Sequence, residues 1–235
     1  MQFPYFYAPS LGLLHSSQGL EEETARHIAQ VLRMKEGDCL HLTDGKGRVA
    51  TAKIASIGKK TCDVFISEIQ DAPTSTKNIT IAVSLLKNAG RFEWLLEKSA
   101  ELGINMIVPL VCKRTERQQF RQDRLQNILV SAMLQSRQAW LTELPNPILY
   151  MDFIKEINQE NRYIAHCEEE EKTILSTLIK PNQKDSLVLI GPEGDFTIDE
   201  IKAAIEKGFK PVSLGNTRLR TETAAITAAV ICVQY

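Results

Sequence analysis

The sequence predicts an α/β protein in two parts, a small β-rich domain over residues 1–72 and a domain with a mostly parallel sheet over residues 73–235. Three observations carry that reading. Short strand patterns crowd around a single helix up to about position 70. A polar stretch with a strand-breaking proline, residues 70–77, then reads as a linker. After it the pattern alternates strand and helix, the signature of a parallel sheet with helical crossovers.

In the first part, Asp44-Gly45-Lys46-Gly47 reads as a hairpin turn, because glycine accepts the positive φ that such turns need. It joins strands at 39–42 and 49–54, and a further strand is expected at 62–66. One helix interrupts them, with Ile28, Val31 and Leu32 on a single face and Gly37 after its end. Several short strands around one helix suggest a small barrel.

In the second part, residues 78–86 read as a strand and 91–102 as a helix stopped by Gly103. Another strand covers 105–112, and Leu125, Ile128, Leu129, Ala132 and Met133 then keep a helical period. Strands are expected at 162–167, 187–190 and 212–214. Thr197-Ile198-Asp199-Glu200 is a capping box opening a helix that stops at Gly208, and a last helix begins at Thr221.

Composition excludes more than it assigns. The chain is 43% hydrophobic and 24% charged, an ordinary globular balance, and has no apolar run approaching the ~20 residues that span a bilayer. Its start, Met1-Gln2-Phe3-Pro4-Tyr5, lacks the basic and apolar segments of a signal peptide, so a cytoplasmic location is expected. The five cysteines (Cys39, Cys62, Cys112, Cys167, Cys232) show no paired metal-ligand spacing, so reduced thiols and no metal are expected. The formal net charge of −1 argues mildly against a nucleic-acid partner and requires any RNA contact to come from a local patch.

Two segments stand apart from ordinary connectors. In Leu187-Val188-Leu189-Ile190-Gly191-Pro192-Glu193-Gly194-Asp195-Phe196 an apolar strand runs into a Gly/Pro turn bearing carboxylates, just before a capped helix. Ligands of open α/β sheets bind beyond strand carboxyl ends, at turns of this kind. In Leu214-Gly215-Asn216-Thr217-Arg218-Leu219-Arg220-Thr221-Glu222-Thr223-Ala224 a second strand ends in a polar loop and enters a helix that is apolar nearly all round, hence buried or at an interface. No dinucleotide or P-loop fingerprint and no serine-based nucleophile motif accompanies them.

At these segments the sequence resembles the RsmE family of the SPOUT methyltransferase superfamily, the 16S ribosomal RNA uridine N3-methyltransferases. The resemblance rests on Gly191-Pro192-Glu193-Gly194, Leu214-Gly215 and Leu219-Arg220-Thr221-Glu222-Thr223-Ala224. It extends to Arg91-x-Glu93-Trp94, Glu97-Lys98, Glu101-Leu102-Gly103, Gln135-Ser136, Arg26-His27, Val31-Leu32-Arg33 and Gly37-Asp38, in order along nearly the whole chain. It implies a C-terminal SPOUT domain closed by a trefoil knot, an exception to the rule of unknotted chains, and an N-terminal PUA-like barrel that helps hold RNA. It also implies a homodimer acting on 16S ribosomal RNA, within the small ribosomal subunit, with no DNA or membrane partner.

S-adenosylmethionine is the implied methyl donor, S-adenosylhomocysteine its product, with no metal. Its implied contacts are Leu189, Gly191, Pro192, Glu193, Gly194, Leu214, Gly215, Leu219, Arg220, Glu222, Thr223 and Ala224, with Glu193 and Glu222 either binding polar groups or holding the loops. Arg220 and Arg26 are the candidate catalytic residues, since a guanidinium can stabilise charge on a deprotonated uridine. Arg26, Arg33 and Arg91 are the candidate RNA contacts. The chain departs from the family pattern at Asp195, where glycine is common, at Leu134, and at Arg137-Gln138. Two alternatives are a SPOUT enzyme acting on a ribose 2′-oxygen, suggested by Asn88-Ala89-Gly90-Arg91, and a non-catalytic ribosome assembly factor. The acidic run 168–171 reads as a solvated loop.

Overall fold

The computed structural model describes residues 3–116, 119–169, 171–181 and 183–234. Met1 and Gln2 of the leader reading and Glu170 of the acidic run lie outside the described residues. The chain forms two compact units, Met1–Thr74 with Met133–Leu141, and Ser75–Ala132 with Thr142–Tyr235.

The first unit is a curled sheet of five strands: β1 (Tyr5–Tyr7), β2 (Ser17–Gly19), β3 (Cys39–Thr43), β4 (Arg48–Ile57) and β5 (Cys62–Asp71), in the order β1-β3-β4-β5-β2. Its long strands alternate as a half-buried sheet must: Ala50, Ala52 and Ile54 of β4 and Cys62, Val64 and Ile66 of β5 face one core with Leu40 and Leu42. Register shifts between β4 and β5 at Thr51/Ala52 and Ile54/Ser56 bend the pair.

Helix α1 (Glu22–Arg26) continues into a wider π turn over His27–Val31, in which the Leu32 N–H reaches back to the His27 carbonyl. That turn corrects the expected apolar face. Ile28 is buried, but Val31 and Leu32 are 68% and 43% exposed, because the extra residue per turn rotates them off the core.

The hairpin turn holds as read. Gly45 and Gly47 take φ of +70° and +96°, and the Asp44 carboxylate accepts from the Lys46 and Arg48 N–H groups at 2.7 and 3.1 Å. The segment Met133–Leu141 is pinned onto this turn. Gly47 N–H donates to Ala139 O and Leu141 N–H to Gly45 O, at 2.9 and 2.8 Å, while the Trp140 ring covers Gly47.

The second unit is a sheet of seven strands: β6 (Asn78–Ser84), β7 (Met106–Val111), β8 (Ile148–Leu149), β9 (Arg162–Ala165), β10 (Thr173–Ile174), β11 (Asp185–Ile190) and β12 (Lys210–Ser213). Their order is β10-β12-β9-β11-β6-β7-β8, and every adjacent pair is parallel. The helices are α2 (Ala89–Glu101), α3 (Gln122–Gln135), the short α4 (Tyr150–Phe153) and α5 (Leu175–Leu178), α6 (Ile198–Glu206) and α7 (Thr221–Gln234).

Strand β11 is buried from Ser186 to Ile190 on both faces, which is why it reads as an unbroken apolar run. Helix α6 opens with the expected Thr197–Glu200 capping box. Asn88 caps α2, accepting from the Gly90 and Arg91 N–H groups. Helix α7 packs against α2, β6 and β11, and Lys77 Nζ holds its last turn by donating to the Cys232 and Val233 carbonyls at 3.3 and 3.2 Å. Among the described residues no helix is long and apolar enough to cross a membrane.

A Cβ at Gly47 would lie 2.2–2.7 Å from three atoms of the Trp140 ring, whereas one at Gly37, also left-handed at φ +91°, meets only the Lys53 chain at 3.8 Å. Gly37→Ala is therefore expected to cost about 1 kcal/mol, the backbone penalty alone, and Gly47→Ala about 3 kcal/mol or more. Urea unfolding followed by tryptophan fluorescence distinguishes them; equal losses would mean that Trp140 yields freely.

Candidate functional site

In an all-parallel sheet every strand delivers its carboxyl end to the same edge. Strands β12, β9 and β11 are neighbours there, and a cleft of about 610 Å³ opens beyond them. Ala165 contributes from β9, Ile190 to Glu193 from the turn after β11, and Val212 to Gly215 from β12 and its end. The loop from Asn216 to Thr221, Ala224 of α7 and Arg91 of α2 complete the walls.

Of the sequence-predicted residues, the cleft gathers Gly191, Pro192, Glu193, Leu214, Gly215, Leu219, Arg220 and Ala224, together with Arg91. Leu189 lies in the core under the floor. Gly194 lies between the lining residues Glu193 and Asp195 and gives its carbonyl to Arg114 Nη1 at 2.7 Å. Glu222 is buried in the first turn of α7 and Thr223 is exposed on the same turn. Arg26 and Arg33 belong to the first unit; both are exposed, and Arg26 is paired with Glu22.

The turn after β11 is fastened on three sides. Arg114 takes the Gly194 carbonyl, Glu193 Oε1 accepts from the Lys87 N–H at 3.1 Å, and Asp195 Oδ2 accepts from the Cys167 N–H at 2.7 Å. The other oxygen of Asp195 accepts from the Phe196 N–H at 2.8 Å. Hydrogen bonds to a charged group contribute about 1.5–3 kcal/mol each. Asp195 has φ +63°, a left-handed position that a short polar side chain tolerates better than most. Its carboxylate thus joins the ends of β9 and β11. Gly191 is tightly enclosed: a Cβ would meet Phe196 at 3.1 Å and Asp195 Oδ1 at 3.2 Å, so these neighbours would have to shift by a few tenths of an ångström.

The loop after β12 is built differently. Gly215 has φ +145° with nothing within 4 Å of where a Cβ would stand, so glycine here serves the backbone turn and leaves the cleft open. Among the described residues, no backbone N–H from Asn216 to Arg220 donates to a backbone carbonyl. Such donors require partners elsewhere, in water or in a ligand. Arg91 Nε lies 3.5 Å from Glu222 Oε1, while the buried Glu222 Oε2 has no hydrogen-bond partner among the described residues. Neither Arg218 nor Arg220 forms an ion pair with a described residue, so the cleft carries net positive charge despite the neutral chain.

Sequence reading missed the end of β9. His166, Cys167 and Lys172 line the cleft, and Lys172 Nζ folds the following loop back by donating to the carbonyls of His166 and Glu168 at 2.8 and 2.7 Å. The strand pattern at 162–167 was the available signal, but its adjacency to β11 was not readable from it. Burial pushes the Cys112 thiol up to about 12 and the Cys232 thiol to about 11, whereas Cys167 is exposed.

The class of protein follows from matches to two families. Residues 73–233 match the RNA methyltransferase domain family, and residues 20–67 match the RNA methyltransferase PUA domain. A ribosomal RNA small subunit methyltransferase E of Rickettsia conorii is 32% identical over 203 residues, covering 86% of this chain and 83% of that protein. The crystal structure of a probable rRNA-methyltransferase from Porphyromonas gingivalis superposes with a TM-score of 0.90 at 37% identity, covering 97% of this chain and 96% of that one. That of a ribosomal RNA small subunit methyltransferase E from Neisseria gonorrhoeae, bound to S-adenosyl methionine, gives 0.88 at 30% identity over 97% of this chain and 96% of that one. The chain belongs to the ribosomal RNA small subunit methyltransferase E family.

Asn at position 195 keeps the left-handed backbone accessible but offers one acceptor oxygen to two N–H donors. Asp195→Asn is therefore expected to raise hydrogen exchange of the Cys167 amide about tenfold, the equivalent of one hydrogen bond. Unchanged protection, read by exchange mass spectrometry or NMR, would show that something else holds the β9 end.

Proposed function

We propose that this protein transfers a methyl group from S-adenosylmethionine to N3 of a uridine in 16S ribosomal RNA of the small subunit. The observation that carries the reading is the cleft itself: two loops of the expected sequence meet at the carboxyl edge of the sheet, with backbone donors that meet no backbone carbonyl and guanidiniums that meet no carboxylate among the described residues. Relatives named for small-subunit ribosomal RNA methylation support the substrate, and the structure of the Neisseria relative with S-adenosyl methionine supports the donor. The residues present fit that donor. The 610 Å³ cleft, the open face of Gly215 and the N–H groups of Asn216 to Arg220, which meet no backbone carbonyl among the described residues, suit a ligand with adenine, ribose and amino-acid parts.

S-adenosylmethionine supplies a methyl group already activated by its sulfonium, so no metal is required. Backbone groups near Leu189, Gly191, Gly194, Leu214, Gly215 and Leu219 would hold it, with Pro192, Glu193, Glu222, Thr223 and Ala224 shaping the loops that carry them. Glu193 and Asp195 already accept backbone N–H groups, and their work is to fix the turn. The acceptor demands more. Uridine N3 bears a proton on the Watson–Crick edge, so the base must be out of any duplex. Loss of that proton leaves negative charge shared with the ring carbonyls, which a guanidinium stabilises by donating hydrogen bonds. Arg220 takes this role, in the cleft and without an ion-pair partner among the described residues.

Arg26, Arg33 and Arg91 act on the RNA, with Arg26 leaving an exposed pair with Glu22 that has little energetic worth. The working enzyme is a cytoplasmic homodimer, its C-terminal domain knotted, acting on an assembled particle rather than loose RNA. A formal charge of −1 suits recognition of a shaped surface. Phe92-Glu93-Trp94 after Arg91 favours the uridine reading over the ribose 2′-oxygen one, and the Asn88 side chain caps α2.

Mass spectrometry of ribosomal RNA from a deletion strain is expected to show loss of one N3-methyluridine; its persistence would refute the assignment. Arg220→Ala is expected to slow methyl transfer about 100-fold or more, as for removal of one charge-stabilising donor, while calorimetry shows cofactor affinity within about threefold of the parent. Parallel losses would move Arg220 into the cofactor site.

A further inference from the structure

The first turn of α2 divides two concavities. Arg91 faces the cleft, whereas Phe92 lines a second, smaller cavity of about 190 Å³ on the other side of that turn. Its floor is apolar: Leu85 and Leu86, which follow β6 directly, with Phe92 and Leu125, all buried. Its rim is charged, formed by Glu93, Arg121 and Arg124. Both concavities therefore open at the carboxyl edge of the sheet, a few residues apart along the chain.

The charges at the rim do not simply cancel. Glu93 accepts from Arg124 through both oxygens, at 2.6 and 2.9 Å, and this pairing holds its carboxyl below the usual range. The pair fixes the Arg124 guanidinium in one orientation and neutralises it. Two guanidiniums face one carboxylate, so the rim keeps one net positive charge; Arg121 also acts on Glu93 at longer range, but it is exposed and has no ion-pair partner within 4 Å among the described residues. An apolar floor with an aromatic wall suits the face of a flat ring, and one unneutralised guanidinium at its mouth suits one phosphate. A free inorganic anion would gain nothing from the floor, and an apolar peptide side chain nothing from the guanidinium.

We propose that this second cavity takes an unstacked base of the RNA strand adjacent to the target uridine, with that nucleotide's phosphate on Arg121. The proposal rests on the RNA-methylating reading of the larger cleft. Turning the target base out of its stack removes a stacking partner from its neighbour. A receptacle across a single helical turn from the cleft then compensates the neighbour's lost stacking and orients the strand. The site adds substrate recognition without contributing to the methyl donor's affinity.

Two variants and one crosslink test this. Ala89→Leu adds bulk at the exposed N-terminal residue of α2, which also lines the cavity, and Arg121→Ala removes the phosphate partner. Each is expected to raise KM for small-subunit particles about tenfold, with S-adenosylmethionine affinity and thermal midpoint unchanged. Arg121→Ala should also flatten the salt dependence of RNA binding by about one unit of slope. An active parent with variants of unchanged KM would overturn the cavity assignment and leave the methylation reading intact. Variants that change sedimentation instead of RNA recognition would overturn it in favour of a side chain from a second copy. Photocrosslinking of 4-thiouridine RNA to the unaltered protein does not depend on turnover. Attachment within residues 85–92 or 119–125 is expected, and attachment confined to other segments would overturn the proposal.

Discussion

The parallel alignment of the seven strands in the second unit is the constraint from which its chemistry follows. Antiparallel neighbours would send alternate loops to opposite edges. Here the turns after β9, β11 and β12 have no choice but to share one edge, and the first turn of α2 joins them after β6. The apolar run of β11, buried on both faces, makes this arrangement stable, and α7 closes over it against α2 and β6.

Convergence alone would leave mobile loops. Carboxylates and one guanidinium, bonded to backbone groups, turn them into a defined wall: Glu193 to Lys87, Asp195 to Cys167 and Phe196, Arg114 to Gly194. Their negative charge is consumed in holding the fold. The positive charge of Arg218 and Arg220 is left facing the space, so a chain of formal net charge −1 presents a basic cleft. Glu222 beneath Arg91 has a buried oxygen without a hydrogen-bond partner among the described residues, a costly feature in a protein interior that a ligand or moving group can satisfy.

Local signals were readable where the cause was local. The Asp44–Gly47 turn, the Thr197–Glu200 capping box and the stops at Gly103 and Gly208 depend on residues a few positions apart, and each stands in the structure. The face of the first helix was misread because a π turn breaks the 3.6-residue period on which the reading relied. Short strands such as β8 and β10, each two residues long, carry no period at all.

The sequence by itself determined the strand–helix alternation and the two loop motifs, because each is encoded in contiguous residues; that Met133–Leu141 joins the first unit was not readable there. Only the tertiary structure decided that β9 lies between β11 and β12, and so that His166, Cys167 and Lys172 line the same cleft as Gly191 and Gly215. It also decided that Asp195 is the link between two of those strands. Strand order and the partner of a carboxylate are long-range choices, fixed by which apolar faces bury best together, and residues distant in sequence acquire their roles only once that packing is complete.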